Sequence, residues 1–338
     1  MLKKAAPASV LALLLLAPFA FAADAAVDLS AFFAKKDVTI AVTDSGFGGL
    51  SIMAEAASRM KTAGLFRSVK FVFFNALFAA DSGYNSLRAR GQKIAVFSSA
   101  LSSLEKRYRP DLILVGCNTL SVLTAETPFV KTTKVPVLDI VDPGVDLIAR
   151  GLASDPRSTA ILFGTETTIS EGEHARRLAA RGVAQARIIA QACPELADYI
   201  ENGPGSDEAA LLIESFVDEA LARVPDRTVP LFASLNCTHF GYALPLWDKA
   251  FQARGIRSFV ILNPNGRMLD PLFPAKARKS FASTSVRASV VSMVAIDKKK
   301  IEALGGWLGA VSPEIAAALA RYELVPGLFE WKDLLKTP

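Results

Sequence analysis

The chain has 338 residues, 51% of them hydrophobic and 21% charged, with a formal net charge of +5. This apolar content excludes a disordered chain, three cysteines exclude a disulfide scaffold, and the mildly basic balance leaves no electrostatic footprint for a nucleic acid. At about 150 residues per domain the length suggests two domains, with a core that needs no staples.

The chain opens on Met1-Leu2-Lys3-Lys4 and continues in an uncharged run from Ala5 to Ala23. Val10 to Ala17 is its apolar heart, Pro18 follows, and Ala20-Phe21-Ala22 offers a small-x-small cleavage site. This is the layout of a secretory leader. Residues 1–22 are therefore expected to be a signal peptide and the protein to be periplasmic or secreted. A spanning helix needs about 20 apolar residues. The run is shorter and broken by Pro18, and no later segment is long enough, so no stable membrane insertion is expected.

Apolar, β-branched runs then alternate with helical patterns. Val38–Thr43, Val69–Phe74, Leu112–Val115, Val137–Val141, Ala160–Phe163, Ala186–Ala190 and Val229–Leu235 read as strands. Leu50–Thr62, Leu87–Arg107, Gly172–Arg181 and Asp207–Val224 read as helices, and Ser312-Pro313 opens another that runs to Tyr322. The alternation predicts an α/β fold with mainly parallel sheets flanked by helices.

Two strands end alike. Leu112-Ile-Leu-Val-Gly runs into Cys117-Asn118-Thr119, and Leu231-Phe-Ala-Ser-Leu-Asn runs into Cys237-Thr238-His239. In α/β sheets ligands sit outside the carboxyl ends of strands. A lone cysteine there is ordinarily a small core hydrophobe, but a matched pair with amide and hydroxyl neighbours points to chemistry. Facing thiols can serve opposite faces of one carbon: one takes a proton and the other returns one, which inverts a stereocentre without a cofactor. Such a step requires oriented donors for the developing enediolate, and Asn118, Thr119 and Thr238 stand beside the cysteines. A third element, Asp44-Ser45-Gly46-Phe47-Gly48-Gly49, follows the first strand. It matches neither the phosphate-loop pattern nor the dinucleotide fingerprint. It reads either as a plain strand-to-helix turn or as a loop for a substrate carboxylate.

Together these three segments resemble the signatures of the aspartate/glutamate racemase family, most closely its glutamate branch. Val141-Asp142-Pro143-Gly144, Gly164-Thr165-Glu166-Thr167-Thr168 and Ala192-Cys193-Pro194 match further family segments, and Glu201 falls where the family often has an acid. The resemblance spans about Val38 to Trp247. It implies two similar α/β domains with the active site in the cleft between them: residues 37–136 plus 245–338, and 137–244. It implies racemisation of glutamate or aspartate with no cofactor. Cys117 and Cys237 would be the acid–base pair, with Asp44 assisting Cys117, and His239 and Glu201 assisting Cys237. Ser45, Asn118, Thr119 and Thr238 would hold the substrate, and Cys193 would be structural. The implied partner is a small-molecule amino acid, with a homodimer as the candidate assembly and neither nucleic acid nor membrane as a partner.

The alternatives are another reaction of the same superfamily through one cysteine, or an exported solute-binding protein. Cys237-x-His239 lacks paired ligand spacing, so no metal is expected. His174 reads as solvated in a polar helix. The tract Lys276–Lys300, with seven basic residues and one acid, reads as a solvated face. The family's Pro-Tyr-Gly turn is missing, and Tyr84 in Asp81-Ser82-Gly83-Tyr84-Asn85 partly stands in for it. A family Asp-Ser pair is replaced by Asn263-Pro264. The tail from about Asp270 extends beyond the family's usual length.

Overall fold

Strand formation follows the apolar runs closely. The computed structural model describes residues 27–276 and 278–336, so the expected leader lies outside the described residues. Among those residues the strands are β1 (Asp37–Asp44), β2 (Ser68–Asn75), β3 (Leu112–Val115), β4 (Val137–Asp139), β5 (Thr159–Gly164), β6 (Ile188–Ala192), β7 (Leu231–Asn236), β8 (Phe259–Leu262), β9 (Ser285–Ser292) and β10 (Glu323–Leu324). Every residue of β3, β5 and β7 is buried. Strands covered on both faces read as continuous apolar runs, and they belong in parallel sheets with helices on each side.

Two such sheets form. One has the order β10-β9-β2-β1-β3-β4 and the other β6-β5-β7-β8. All their pairings are parallel. Sheet membership moves the crossings from the expected limits of 137 and 244. β4 still belongs to the first sheet and β8 still to the second, so the chain crosses between Asp139 and Thr159 and returns between Leu262 and Ser285. Val141 does not extend the fourth strand. It starts the helix Val141–Ala153, and Pro143 sits in that helix's first turn, where the missing N–H has no intrahelical acceptor to lose.

The tail completes the first sheet. β9 pairs with β2 from Ser68↔Ser285 to Phe74↔Val291. The helices Lys298–Val311 and Pro313–Ala320 follow, and Leu304, Leu308, Ile315 and Leu319 enter the main core. Ser312 takes the expected N-cap position with Pro313 behind it, but its hydroxyl donates to the Glu314 carboxylate at 3.1 Å instead of capping an amide. Trp331 packs on Phe78, with ring centroids 5.0 Å apart.

Register fixes what meets at the carboxyl edges. Thr43 lies opposite Val115, so the next inward positions, Ser45 and Cys117, fall side by side. In the second sheet Gly164 lies opposite both Ala192 and Asn236. Thr165, Cys193 and Cys237 therefore leave their strands at one level.

Truncating the chain after Thr284 would bare the β2 edge and remove core side chains, and unpaired edges template aggregation. The truncated chain is expected to be insoluble or to elute as aggregate in size-exclusion chromatography. A cooperative, monomeric product would contradict the structural role of the tail.

Candidate active site

Strand ends supply the site residues. Asp44 closes β1 and is buried. Its Oδ1 accepts from the Gly46 amide at 3.2 Å, and its Oδ2 accepts from Thr238 Oγ1 at 2.8 Å. Ser45 Oγ lies 3.2 Å from Cys117 Sγ. One continuous path thus runs from Cys117 through Ser45, Asp44 and Thr238 to Cys237. The direct contact on the Cys117 sulfur comes from Ser45, whereas Asp44 reaches that thiol only by its charge. Burial, then the Asp44 charge, push the Cys117 thiol well up, while the Ser45 hydrogen bond pulls it partly back. Cys117 rests as a thiol.

Around Cys237 the polarity is reversed. Cys237 Sγ is 3.5 Å from His239 Nδ1. His239 Nε2 is 2.6 Å from Glu201 Oε1, which also accepts the Phe47 amide at 2.8 Å. Lys300 Nζ donates to Glu201 Oε2 at 2.7 Å. Burial opposes charge on His239, but its bonds to Cys237 and Glu201 and the Glu201 charge hold it well above its ordinary 6.5. Burial likewise opposes charge on Glu201, yet His239 and Lys300 bring its carboxyl down to about 2. The unit at neutral pH is an imidazolium–carboxylate–ammonium chain aimed at a sulfur.

Gly48 lets the turn after β1 approach this unit. A Cβ there would stand 2.7 Å from the His239 backbone nitrogen and 2.8 Å from its Nδ1, closer than such atoms pack. Only glycine tolerates that approach.

The four expected substrate ligands differ in availability. Ser45 is on Cys117, Thr238 is on Asp44, and Thr119 Oγ1 meets Thr165 Oγ1 at 2.8 Å. Asn118 is buried with both amide atoms unpartnered. A buried amide without partners costs free energy and calls for a ligand. The Tyr84 hydroxyl is also buried and unpartnered. All three cysteines are free, and Cys193 is buried with its Sγ 3.7 Å from the Gln191 carbonyl. Among the described residues no group of three His, Cys, Asp or Glu is placed to hold a metal ion. No helix there is long and apolar enough to cross a membrane.

Two expectations need correction. His174 is buried rather than solvated, and burial lowers its pKa to about 4. It shares the inner face of the helix Glu173–Ala180 with Leu178, one turn on. The basic tract is largely exposed, but Lys300 is half-buried and bound to Glu201. The sequence reading also missed Asn265, which donates to Ser51 Oγ and to the Thr238 carbonyl, each at 3.0 Å. Neither residue carries a local signal, since each meets the site from a distant segment.

No protein-family model matches the chain. It is 29% identical to the glutamate racemase of Paracoccus denitrificans over 244 residues, covering 68% of this chain and 81% of that protein. It is 26% identical to the glutamate racemase of Syntrophus aciditrophicus over 204 residues, covering 60% and 67%. Among solved structures, the fold is similar to glutamate racemase from Campylobacter jejuni, with a TM-score of 0.58, 21% identity and coverage of 80% and 98%. It is also similar to the RacE1 isoform from Bacillus anthracis, with a TM-score of 0.61, 18% identity and coverage of 81% and 95%. The expected export does not stand. The curated relatives are glutamate racemases, cytoplasmic enzymes of peptidoglycan synthesis, and residues 1–26, which carried the leader reading, lie outside the described residues.

The charge relay has a pH signature. Glu201 is depressed, so its stabilisation is complete above the ordinary 4.5 and is lost as pH falls toward about 2. His239 is raised, so its share is present below 6.5 and is lost as pH rises through its elevated value. Urea unfolding should show about 3 kcal/mol of stability disappearing across the acid limb. Glu201→Gln should flatten that limb, and an unchanged limb would refute the assignment.

Proposed function

We propose that the chain is a member of the aspartate/glutamate racemase family, a reading its similarity to curated glutamate racemases supports, and that it racemises glutamate, with Cys117 and Cys237 as the two acid–base groups. The family's isomerases work without pyridoxal phosphate. The carrying observation is the asymmetry of two cysteines held at one turn. Cys117 is kept as a thiol by burial and Asp44, while Cys237 faces the His239 imidazolium at 3.5 Å.

That asymmetry suits an acid on one side and a base on the other. An imidazolium hydrogen bond to sulfur is charge-assisted when the sulfur is anionic. The Cys237 thiolate removes the α-proton: the Cα–H bond breaks, an S–H bond forms, and the electron pair passes into the carboxylate as an enediolate. The Cys117 thiol then delivers its proton to the opposite face of Cα. Its S–H bond breaks, Cα is inverted, and the sulfurs have exchanged protonation states. The reverse direction uses the same groups in exchanged roles.

Asn118 is the donor best suited to the enediolate, because it neighbours Cys117 and spends neither amide atom on the protein. Oriented donors of this kind carry much of the barrier lowering when charge develops on oxygen. Glu201 and Lys300 act through His239, as positioning residues. Thr238, bonded to Asp44, keeps the Cys237 segment against the β1 turn. Glutamate is favoured as substrate by the curated relatives, which are all named for it.

Cys117→Ser and Cys237→Ser are each expected to lower kcat/KM for racemisation of either enantiomer by at least about 10³-fold, with the far-UV spectrum and Tm unchanged. Polarimetry in both directions reads the effect. Wild-type turnover in either variant would sink the two-thiol mechanism.

A further inference from the structure

A buried lysine near the site lacks a counter-charge. Lys93 lies on the inner face of the helix Arg90–Tyr108 and is 9% exposed. Its Nζ donates to Thr167 Oγ1 at 2.8 Å. Among the described residues no carboxylate stands within ion-pair distance of it. Glu171 is engaged by Arg90 at 2.8 Å, and Glu166 is exposed. Both act on Lys93 only at longer range, and burial outweighs them, so its pKa is drawn down. A desolvated ammonium without an anion is costly to hold, and its remaining N–H donors are available to a ligand.

Three segments converge on the same short stretch. Lys93 bonds Thr167. Asn85, the neighbour of Tyr84, accepts the Thr167 amide at 3.3 Å. Thr119, the neighbour of Asn118, bonds Thr165 at 2.8 Å. Asn118 and Tyr84, whose polar side-chain atoms are buried and unpartnered, are the chain neighbours of two of these bonded residues, and Tyr84 lies within electrostatic reach of Cys117. Asn118 is adjacent to Cys117 and so belongs to the reacting carbon. Lys93 is joined to the Asn118 segment through Thr167, Thr165 and Thr119.

We propose that Lys93 pairs with the side-chain carboxylate of a dicarboxylic amino acid bound at this site, and so selects acidic substrates over their neutral isosteres. This rests on the racemase reading for the substrate's orientation, but ligand binding tests it separately. The pair would supply the counter-charge that the ammonium lacks, in surroundings where a buried ion pair is strong once both partners are present.

Calorimetric titration of D-glutamate and D-glutamine into wild-type protein and Lys93→Met tests the pairing. The wild type should prefer glutamate by about 30-fold or more, and Lys93→Met should bring the two within about threefold. Lys93→Arg should restore most of the preference, which a merely structural role would not do. If Lys93→Met does not fold, Lys93→Gln, which removes the charge and can still donate to Thr167, decides the same question. An undiminished preference in the neutral variant overturns the proposal, as does equal or absent binding of the two ligands by the wild type. Exchange of the α-proton in heavy water, followed in parallel, separates the two readings. A Lys93-dependent preference without exchange would sustain the pairing and overturn the racemase assignment.

Discussion

One buried carboxylate joins the parts of this molecule that would otherwise be separate. Glu201 accepts from Phe47 in the turn after β1, contacts His239 behind β7 and receives Lys300 from the tail. Three distant stretches of chain thus close on a single ionised group. The interior favours this arrangement only because every partner is present: removing one would leave a buried charge uncompensated. The same bonds that hold the fold together polarise His239 toward Cys237, so stability and the proposed chemistry draw on one interaction.

Parallel register supplies the second constraint. Because neighbouring strands end level, short motifs that are remote in sequence emerge side by side. Ser45 and Cys117 meet this way, and so do the starts of the segments at Thr165 and Cys237. The tail contributes from the opposite edge of the first sheet. β9 seals β2 and is followed by the helix Lys298–Val311. From that helix Lys300 reaches Glu201, and Trp307 packs edge-on against Tyr242, with centroids 4.8 Å apart. Tyr242 in turn donates to the Phe47 carbonyl at 3.2 Å. An extension that looked like an appendage buttresses the site.

Local signals were readable in the sequence where the chemistry is local. The strand-end cysteines, the glycine turn and the apolar runs each announce themselves within a few residues. What stayed hidden depends on tertiary approach. Lys300 sits in a run of charged residues whose other members are exposed, and only the fold distinguishes it. β9 reads as half polar because its first half alternates exposed and partly buried positions before the buried end. His174 was misjudged because the many charges around it mask a two-residue inner stripe with Leu178. Asp44 is expected to assist Cys117, and only the fold shows that its carboxylate bonds Thr238 while Ser45 lies on the sulfur. The N-terminal pattern is a case where a convincing local layout led to a location that the relatives overturn.

Two groups acting on opposite faces of one carbon leave an isotopic signature. Initial-rate conversion of L-glutamate in heavy water, followed by NMR and chiral separation, reads it most directly. Deuterium is expected at Cα of the newly formed D-glutamate while the remaining L-glutamate keeps its proton. Protium retained in the product, equal labelling of both enantiomers from the outset, or no exchange at all would contradict it.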